Sequence, residues 1–247
     1  MKILHCGDIH FKNDLTAEIE KCTDFLVEQA INEQIDLSIV TGDLFDERLH
    51  YDSVAFQIAI RFLMRLAHVS PVFILKGTTS HDGNSLKFLE AVNTRHNVCV
   101  TEQIGITAYA DKFIEVSKYN LLKLNNKEVY PKALIFSLPP VSKAHLLAYG
   151  RNDIEDSRLD TIEAIRSVLQ MFQAASSEAS ALGIPTILTG HLTVTGSSLS
   201  TGQQMVGREI ELGVGDLRMA GADLVCLGHV HKTQRWVTSS IQARLPD

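Results

Sequence analysis

Acids and histidines in this sequence fall where apolar runs stop. Five runs each end at a small or polar residue followed by a side chain able to bind a metal: Cys6-Gly7-Asp8-Ile9-His10, Thr41-Gly42-Asp43, Lys76-Gly77-Thr78-Thr79-Ser80-His81-Asp82, Thr189-Gly190-His191 and Gly228-His229-Val230-His231. Carboxylates and imidazoles without thiolate suit manganese, iron or zinc better than calcium, and so many imidazoles disfavour a site built for magnesium alone. A carboxylate such as Asp43 can bridge two ions. Where two ions sit about 3.5 to 4 Å apart, they bind an attacking hydroxide and phosphoryl oxygens together, which suits hydrolysis of phosphate esters. Each group alone has an ordinary structural use: Asp8-x-His10 as a solvated strand end, Gly42-Asp43 as a turn, His191 as a hydrogen-bonded structural histidine. Gly228-His229-Val230-His231 is more specific, because two histidines one residue apart after an apolar strand have few structural uses. Their joint occurrence carries the metal reading.

The elements that must position these groups alternate between strand and helix. Lys2 to Gly7, Ile35 to Thr41, Val72 to Lys76, Pro185 to Thr189 and Asp223 to Leu227 read as strands. Ala17 to Glu33, Ser53 to Ala67 and Arg158 to Leu182 recur helically, the last with Asp156 or Ser157 placed to cap it and Gly183 and Pro185 placed to stop it. Between Val98 and Leu138 short β-like runs, among them Leu121 to Leu124, are separated by turns such as Asn125-Asn126 and suggest a second sheet. Thr193 to Gly207 reads as a loop. This alternation predicts an α/β fold, in which the carboxyl ends of strands form the ligand crevice. Glycine before a ligand lets the chain turn sharply. In extended backbone residues i and i+2 share a side, so Asp8 with His10, and His229 with His231, are expected to act in pairs.

Composition sets outer bounds. A chain of 247 residues with 45% hydrophobic and 21% charged residues buries a substantial core, and one catalytic domain over 1–247 is expected. The formal charge of -6 argues against a surface that grips nucleic acid everywhere, yet not against a local site where bound cations dominate. No signal peptide or apolar run of membrane-spanning length is read, so a cytoplasmic protein without membrane association is expected. Cys6, Cys22, Cys99 and Cys226 lack metal or disulfide spacing and are read as reduced core or near-core thiols.

At these same residues the sequence resembles the calcineurin-like metallophosphoesterase superfamily, whose ordered pattern is D-x-H, G-D, G-N-H-D or E, G-H and G-H-x-H. It is most similar to the SbcD-type DNA repair exonucleases, through Ile3 to His10, Thr41 to Asp46, and the block from His191 to His231 with Val206 to Ile210 and Ala220 to Asp223. The resemblance implies a four-layer αββα sandwich of two mixed sheets flanked by helices. It implies two divalent ions, manganese first and iron, zinc or magnesium as alternatives. Asp8, His10, Asp43 and His231 would hold one ion; Asp43, His191 and His229 would hold the other. His81 would protonate the leaving oxygen or stabilise transition-state charge, with Asp82 orienting it. The family's asparagine supplies a carbonyl oxygen to the second ion. Here Ser80 precedes the histidine in a loop two residues longer, so Ser80 is expected in that role, with Thr79 and Asn84 as alternatives.

The resemblance further implies a DNA substrate, a homodimer, and an SbcC-type ATPase partner where the capping region that follows the G-H-x-H strand is present; that region is expected to be absent or truncated here. Two other functions fit the scaffold: a small-substrate phosphatase or cyclic nucleotide phosphodiesterase, and a protein-binding scaffold like the retromer small subunit. His50 is read as a candidate substrate contact. Lysines 112, 118, 123, 127, 132 and 143 are read as a solvated sheet face that could guide DNA.

Overall fold

The computed structural model describes residues 1–48, 50–92, 94–116, 130–141, 158–200, 203, 210–238 and 241–244. The chain divides into two compact units, residues 1–102 and 103–247.

In the first unit, β1 (Ile3–Cys6), β2 (Leu37–Thr41), β3 (Val72–Leu75) and β4 (Val98–Thr101) form one sheet in that order, parallel throughout. Parallel neighbours need long crossovers, and α1 (Thr16–Asn32) and α2 (Val54–Val69) supply the first two. Ser53 begins α2 by accepting the Phe56 N–H on its hydroxyl at 3.2 Å, which satisfies one orphan donor of the first turn. The apolar face of α2, with Ile58, Phe62, Leu63 and Leu66, packs with Val40, Ile74 and Phe11 in one core cluster. On α1, Val27 and Ala30 are buried, whereas Phe25 and Ile31 lie exposed. A single turn, α3 (Thr79–Asp82), follows β3.

The second unit carries β5 (Gly105–Tyr109), β6 (Phe113–Val116), β7 (Ala133–Leu138), α4 (Arg158–Ala181) and β8 (Thr186–His191). After these come the two-residue strands β9 (Thr193–Val194) and β10 (Glu211–Leu212), then α5 (Val214–Arg218), β11 (Leu224–Gly228), β12 (Arg235–Thr238) and β13 (Ile241–Arg244). The main sheet runs β12-β13-β11-β8-β7-β5-β6, parallel from β13 to β7 and antiparallel at both flanks. α4 presents Val168, Leu169 and Phe172 to the core of this unit, where Phe172 stacks on Phe136 with centroids 4.9 Å apart and planes 5° from parallel. Gly183, at φ 70°, ends α4 where a side chain would be strained.

The α/β class and the second sheet agree with expectation, with helices flanking two sheets, the first parallel and the second mixed. Within the stretch read as a loop, Thr193–Val194 instead pairs in parallel with Glu211–Leu212. The Leu121 to Leu124 run, the Asn125-Asn126 turn, the Asp156 or Ser157 cap, Val206 to Glu209 and the lysines at 118, 123, 127 and 143 lie outside the described residues. No helix among the described residues is long and apolar enough to cross a membrane.

Cys6 and Cys226 are buried and Cys99 is half-buried, but Cys22 is exposed on α1 and is not the core thiol the sequence suggested. Burial, with the Asp8 charge adding, pushes the Cys6 thiol from 9.0 up to about 12. Since the thiolate is the reactive form, a thiol reagent at pH 8 is expected to modify Cys22 in the folded protein and to reach Cys6 and Cys226 only after denaturation. Peptide mass spectrometry reads this directly, and rapid labelling of Cys6 would contradict the packing of β1.

Candidate metal centre

β1 and β2 are neighbours, and their chains remain laced together past the strand ends. The Asp8 N–H donates to the Gly42 carbonyl at 3.0 Å, the His10 N–H to the Asp43 carbonyl at 3.1 Å and the Phe11 N–H to the Leu44 carbonyl at 2.9 Å. These bonds fix the backbone beneath Asp8, His10 and Asp43.

That backbone is unusual. Among the described residues, five non-glycine positions have positive φ: Asp8 at 53°, His10 at 50°, Gln34 at 53°, Asp43 at 46° and His229 at 92°. Four of the five are residues expected to bind metal. Left-handed conformation costs an L-residue roughly 1–2 kcal/mol, somewhat less for aspartate, and persists only where surroundings enforce it. The two local expectations from sequence need correction here. The pairing of Asp8 with His10 does not come from strand alternation, since neither residue is extended. Nor do the preceding glycines make the turns, because of Gly7, Gly42, Gly190 and Gly228 only Gly42 has positive φ, at 83°, and elsewhere the acid or histidine itself turns.

Asp43 is 2% exposed. Its Oδ1 accepts from the Thr78 N–H at 2.7 Å and the Thr78 hydroxyl at 2.8 Å, while Oδ2 stands 4.0 Å from His81 Nε2. Gly77 serves close approach here: a Cβ at 77 would fall 2.2 Å from both the Asp43 nitrogen and its Oδ1. Asp82 is also buried, and its carboxylate accepts the N–H groups of Leu44 at 2.8 Å, Phe45 at 3.2 Å and Gly77 at 2.7 Å. It ties the loop after β2 to the loop after β3.

The orientation of His81 expected from Asp82 comes instead from the Asp46 carbonyl, 2.7 Å from His81 Nδ1. The His81 and His10 rings meet edge to face with centroids 4.7 Å apart, and His10 Nδ1 lies 3.1 Å from Asp46 Oδ1. His10, Asp46 and His81 each offer a ligand atom, and these atoms lie within 4.8 Å of one another. Ser80 is exposed, and its hydroxyl reaches Thr78 Oγ1 at 3.4 Å, so the oxygen that meets Asp43 belongs to Thr78. His50 is exposed and lines a cavity that His81 also lines.

In the second unit, register places His191, the last residue of β8, opposite Gly228 of β11, and His229 follows at once. The two rings lie edge to face with centroids 5.2 Å apart. His191 is buried and His231 exposed. Gln203 braces the turn between the histidines: its Nε2 donates to the His229 carbonyl at 2.6 Å and its Oε1 accepts the His231 N–H at 3.2 Å.

Sequence reading overlooked three participants. Asp46 lies in the Thr41 to Asp46 block, and Thr78 follows Gly77 directly, where the family pattern has asparagine when counted from the glycine rather than back from the histidine. Gln203 offers no signal in a Gly/Ser/Thr-rich stretch. The donors present, carboxylate oxygens and imidazole nitrogens on enforced turns, fit a transition-metal site, and the protonated Cys6 thiol is no part of it.

A family model described as calcineurin-like phosphoesterase matches residues 1–233. The chain is 26% identical over 250 residues to the SbcD component of the SbcCD nuclease of Escherichia coli (strain K12), an alignment covering 95% of this chain and 57% of that protein. The chain thus spans little more than half the length of that curated relative. Among solved structures, GAP50, the anchor in the inner membrane complex of Plasmodium, superposes with TM-score 0.52 at 13% identity, over 98% of this chain and 70% of that one. A dimetal phosphatase from Danio rerio gives 0.50 at 12% identity, over 98% and 85%. At those identities the two structures establish fold alone.

The contact at Gly77 sets a stability expectation. Gly77→Ala should cost about 1–3 kcal/mol by forcing Asp43 and its loop aside, whereas Gly105→Ala, whose Cβ meets nothing within 4 Å, should change stability by less than about 0.5 kcal/mol. Urea denaturation of both variants tests the difference, and equal midpoints would overturn it.

Proposed function

Because this chain belongs to the calcineurin-like phosphoesterase family of metal-dependent hydrolases, we propose that it is a DNA phosphodiesterase of the SbcD type, its two units acting as one catalytic domain. The observation that carries this reading is the left-handed backbone at Asp8, His10, Asp43 and His229. Four of the five left-handed non-glycine positions among the described residues carry metal-capable side chains, and backbone strain clusters where ligands are held. The identity to the SbcD component of the SbcCD nuclease, spread over nearly the whole chain, favours the nuclease branch.

Asp8, His10, Asp43 and His231 are assigned to one divalent ion and Asp43, His191 and His229 to the other, with manganese the metal proposed. When bound, such a pair supplies Lewis-acid charge and lowers the pKa of a water. Asp46 Oδ1 lies 3.1 Å from His10 Nδ1, the side from which a carboxylate commonly orients a ligating histidine. Thr78 fixes Asp43 Oδ1 and contributes the neutral oxygen that the family takes from asparagine, with Ser80 one hydrogen bond behind it.

His81 is assigned to the leaving group. Its Nδ1 faces a carbonyl oxygen, which only accepts, so Nδ1 carries a proton. Nε2, on the Asp43 side, then donates only when the ring is cationic; the cationic ring transfers that proton to the departing sugar oxygen and returns to neutral. Asp82 positions both loops beneath it. The partners proposed with this reading are DNA, a second copy of the chain, and an SbcC-type ATPase that engages a capping region, all in the cytoplasm.

Asp43→Ala and His231→Ala should each lower hydrolysis of bis-p-nitrophenyl phosphate at least about 100-fold, as loss of a ligand or of a positioned transition-state contact does. Metal counted by mass spectrometry should fall below two ions per chain, with thermal melts confirming that His231→Ala still folds. Full activity in His231→Ala would refute the ligand assignment. Linear duplex DNA compared with p-nitrophenyl phosphate and cyclic nucleotides tests the nuclease branch, which fails if the monoester or cyclic nucleotide is the better substrate.

A further inference from the structure

A cavity of about 510 Å³ opens beside His81, entirely within the first unit. Its size falls in the ~300–1,000 Å³ range of small-molecule sites. One wall is a run of stacked rings: Phe45 on Phe56 with centroids 6.0 Å apart and planes at 12°, then Phe56 on Phe88 at 5.8 Å and 25°. The run starts in the core, with Phe45 5% exposed, and ends on open ring surface, with Phe88 49% exposed. Phe88 thus offers an open ring face to the cavity it lines. Opposite polarity is supplied by Arg48 and Asn84, joined by a hydrogen bond of 3.3 Å from Nη2 to Oδ1, both exposed. The chain between them turns at Gly83, where φ is 69°.

His81 belongs to this cavity and to the cluster with Asp43, since its Nε2 lies 4.0 Å from Asp43 Oδ2. A ligand that fills the cavity with a flat apolar body therefore presents whatever is attached to that body at His81. A nucleobase has the required properties: a π-face for the phenylalanine run, a hydrogen-bonding edge for Arg48 and Asn84, and a sugar leading to phosphate. We propose that this cavity is a base-binding subsite, in which one nucleobase stacks on the exposed end of the Phe56–Phe88 run while its phosphate lies at His81. The inference rests on the phosphodiesterase reading and deepens it by assigning the base of a nucleotidic ester to named side chains of this cavity. Stacking tolerates every base, so the subsite selects nucleotides without selecting sequence.

The test compares thymidine 5′-(p-nitrophenyl phosphate) with methyl p-nitrophenyl phosphate, which shares the leaving group and lacks the base. In Phe88→Ala the ratio of kcat/KM for the two is expected to fall at least about fivefold, the lower end of what one lost base stack produces, and Phe88→Trp should restore it. Saturation-transfer NMR with deoxyadenosine monophosphate and the magnesium-loaded protein provides a second readout, with transfer to the adenine protons in the wild type and its loss in Phe88→Ala. An unchanged ratio, or no transfer in the wild type, overturns the subsite. Conversion of a dimer to a monomer in Phe88→Ala, with both substrates falling together, also overturns it and makes this face a contact between copies. If the wild type cleaves neither substrate while adenine transfer depends on Phe88, the phosphodiesterase reading fails and the subsite stands.

Discussion

The Asp43 carboxylate occupies space that any side chain at position 77 would claim, and the organisation of the first unit follows from that contact. A carboxylate this buried needs partners for its oxygens, and in the interior an unsatisfied one costs several kcal/mol. Thr78 meets it twice, from backbone and hydroxyl. Both donors reach Oδ1 only because Gly77 lets the β3 loop pass at backbone distance. A second buried carboxylate, Asp82, then ties the same two loops from the other end through three backbone N–H groups. Two aspartates thus act as cross-braces between loops whose strands are already paired in register, and His81 follows the β3 loop they hold.

Enforcement of this kind explains how four left-handed residues survive. At roughly 1–2 kcal/mol each, they offset a large share of the 5–15 kcal/mol by which domains are usually stable. The lacing of Asp8 to Gly42 and of His10 to Asp43 uses the backbone polar groups that the turns would otherwise leave unmet. His229 is held differently, by the Gln203 amide spanning its own carbonyl and the His231 N–H. The two units reach the same end, a ligand at a fixed angle, by unrelated local means.

How much of this can be read in the sequence depends on whether the cause is local. Strand ends and helices are local: Ser53 caps α2, Gly183 stops α4, and each apolar run ends within a few residues of its metal-capable side chain. A parallel sheet then brings β1, β2 and β3 to a common edge, so the order of Asp8, Asp43 and His81 along the chain already suggests their convergence. Contacts set by tertiary approach are not legible in the same way. Thr78 takes the place beside Asp43 because the β3 loop passes there, and the single turn of α3 carries Ser80 out to solvent. The Asp46 carbonyl holds His81 with a main-chain atom, which no residue type advertises. Alternation failed at Asp8 and His10 because it assumes extended backbone, and the left-handed turns depend on bonds from the neighbouring strand end.

The acidic balance of the chain is consistent with this construction rather than opposed to a phosphate substrate. Asp8, Asp43, Asp46 and Asp82 lie on or beside the same braced loops, and carboxylates gathered in this way repel one another unless N–H donors or cations answer them. The loops answer Asp82 with three backbone N–H donors and Asp43 Oδ1 with two donors from Thr78. Asp8, Asp43 and the imidazoles beside them are donor types suited to a transition-metal cation, on backbone that cannot relax without breaking the strand-end lacing. Metal binding to such a frame is coupled to its folding, because the ligand geometry exists only when the loops are in place. The negative charge of the protein and the attraction of a negative substrate are therefore compatible, since the fold concentrates acids where cations reverse the local sign.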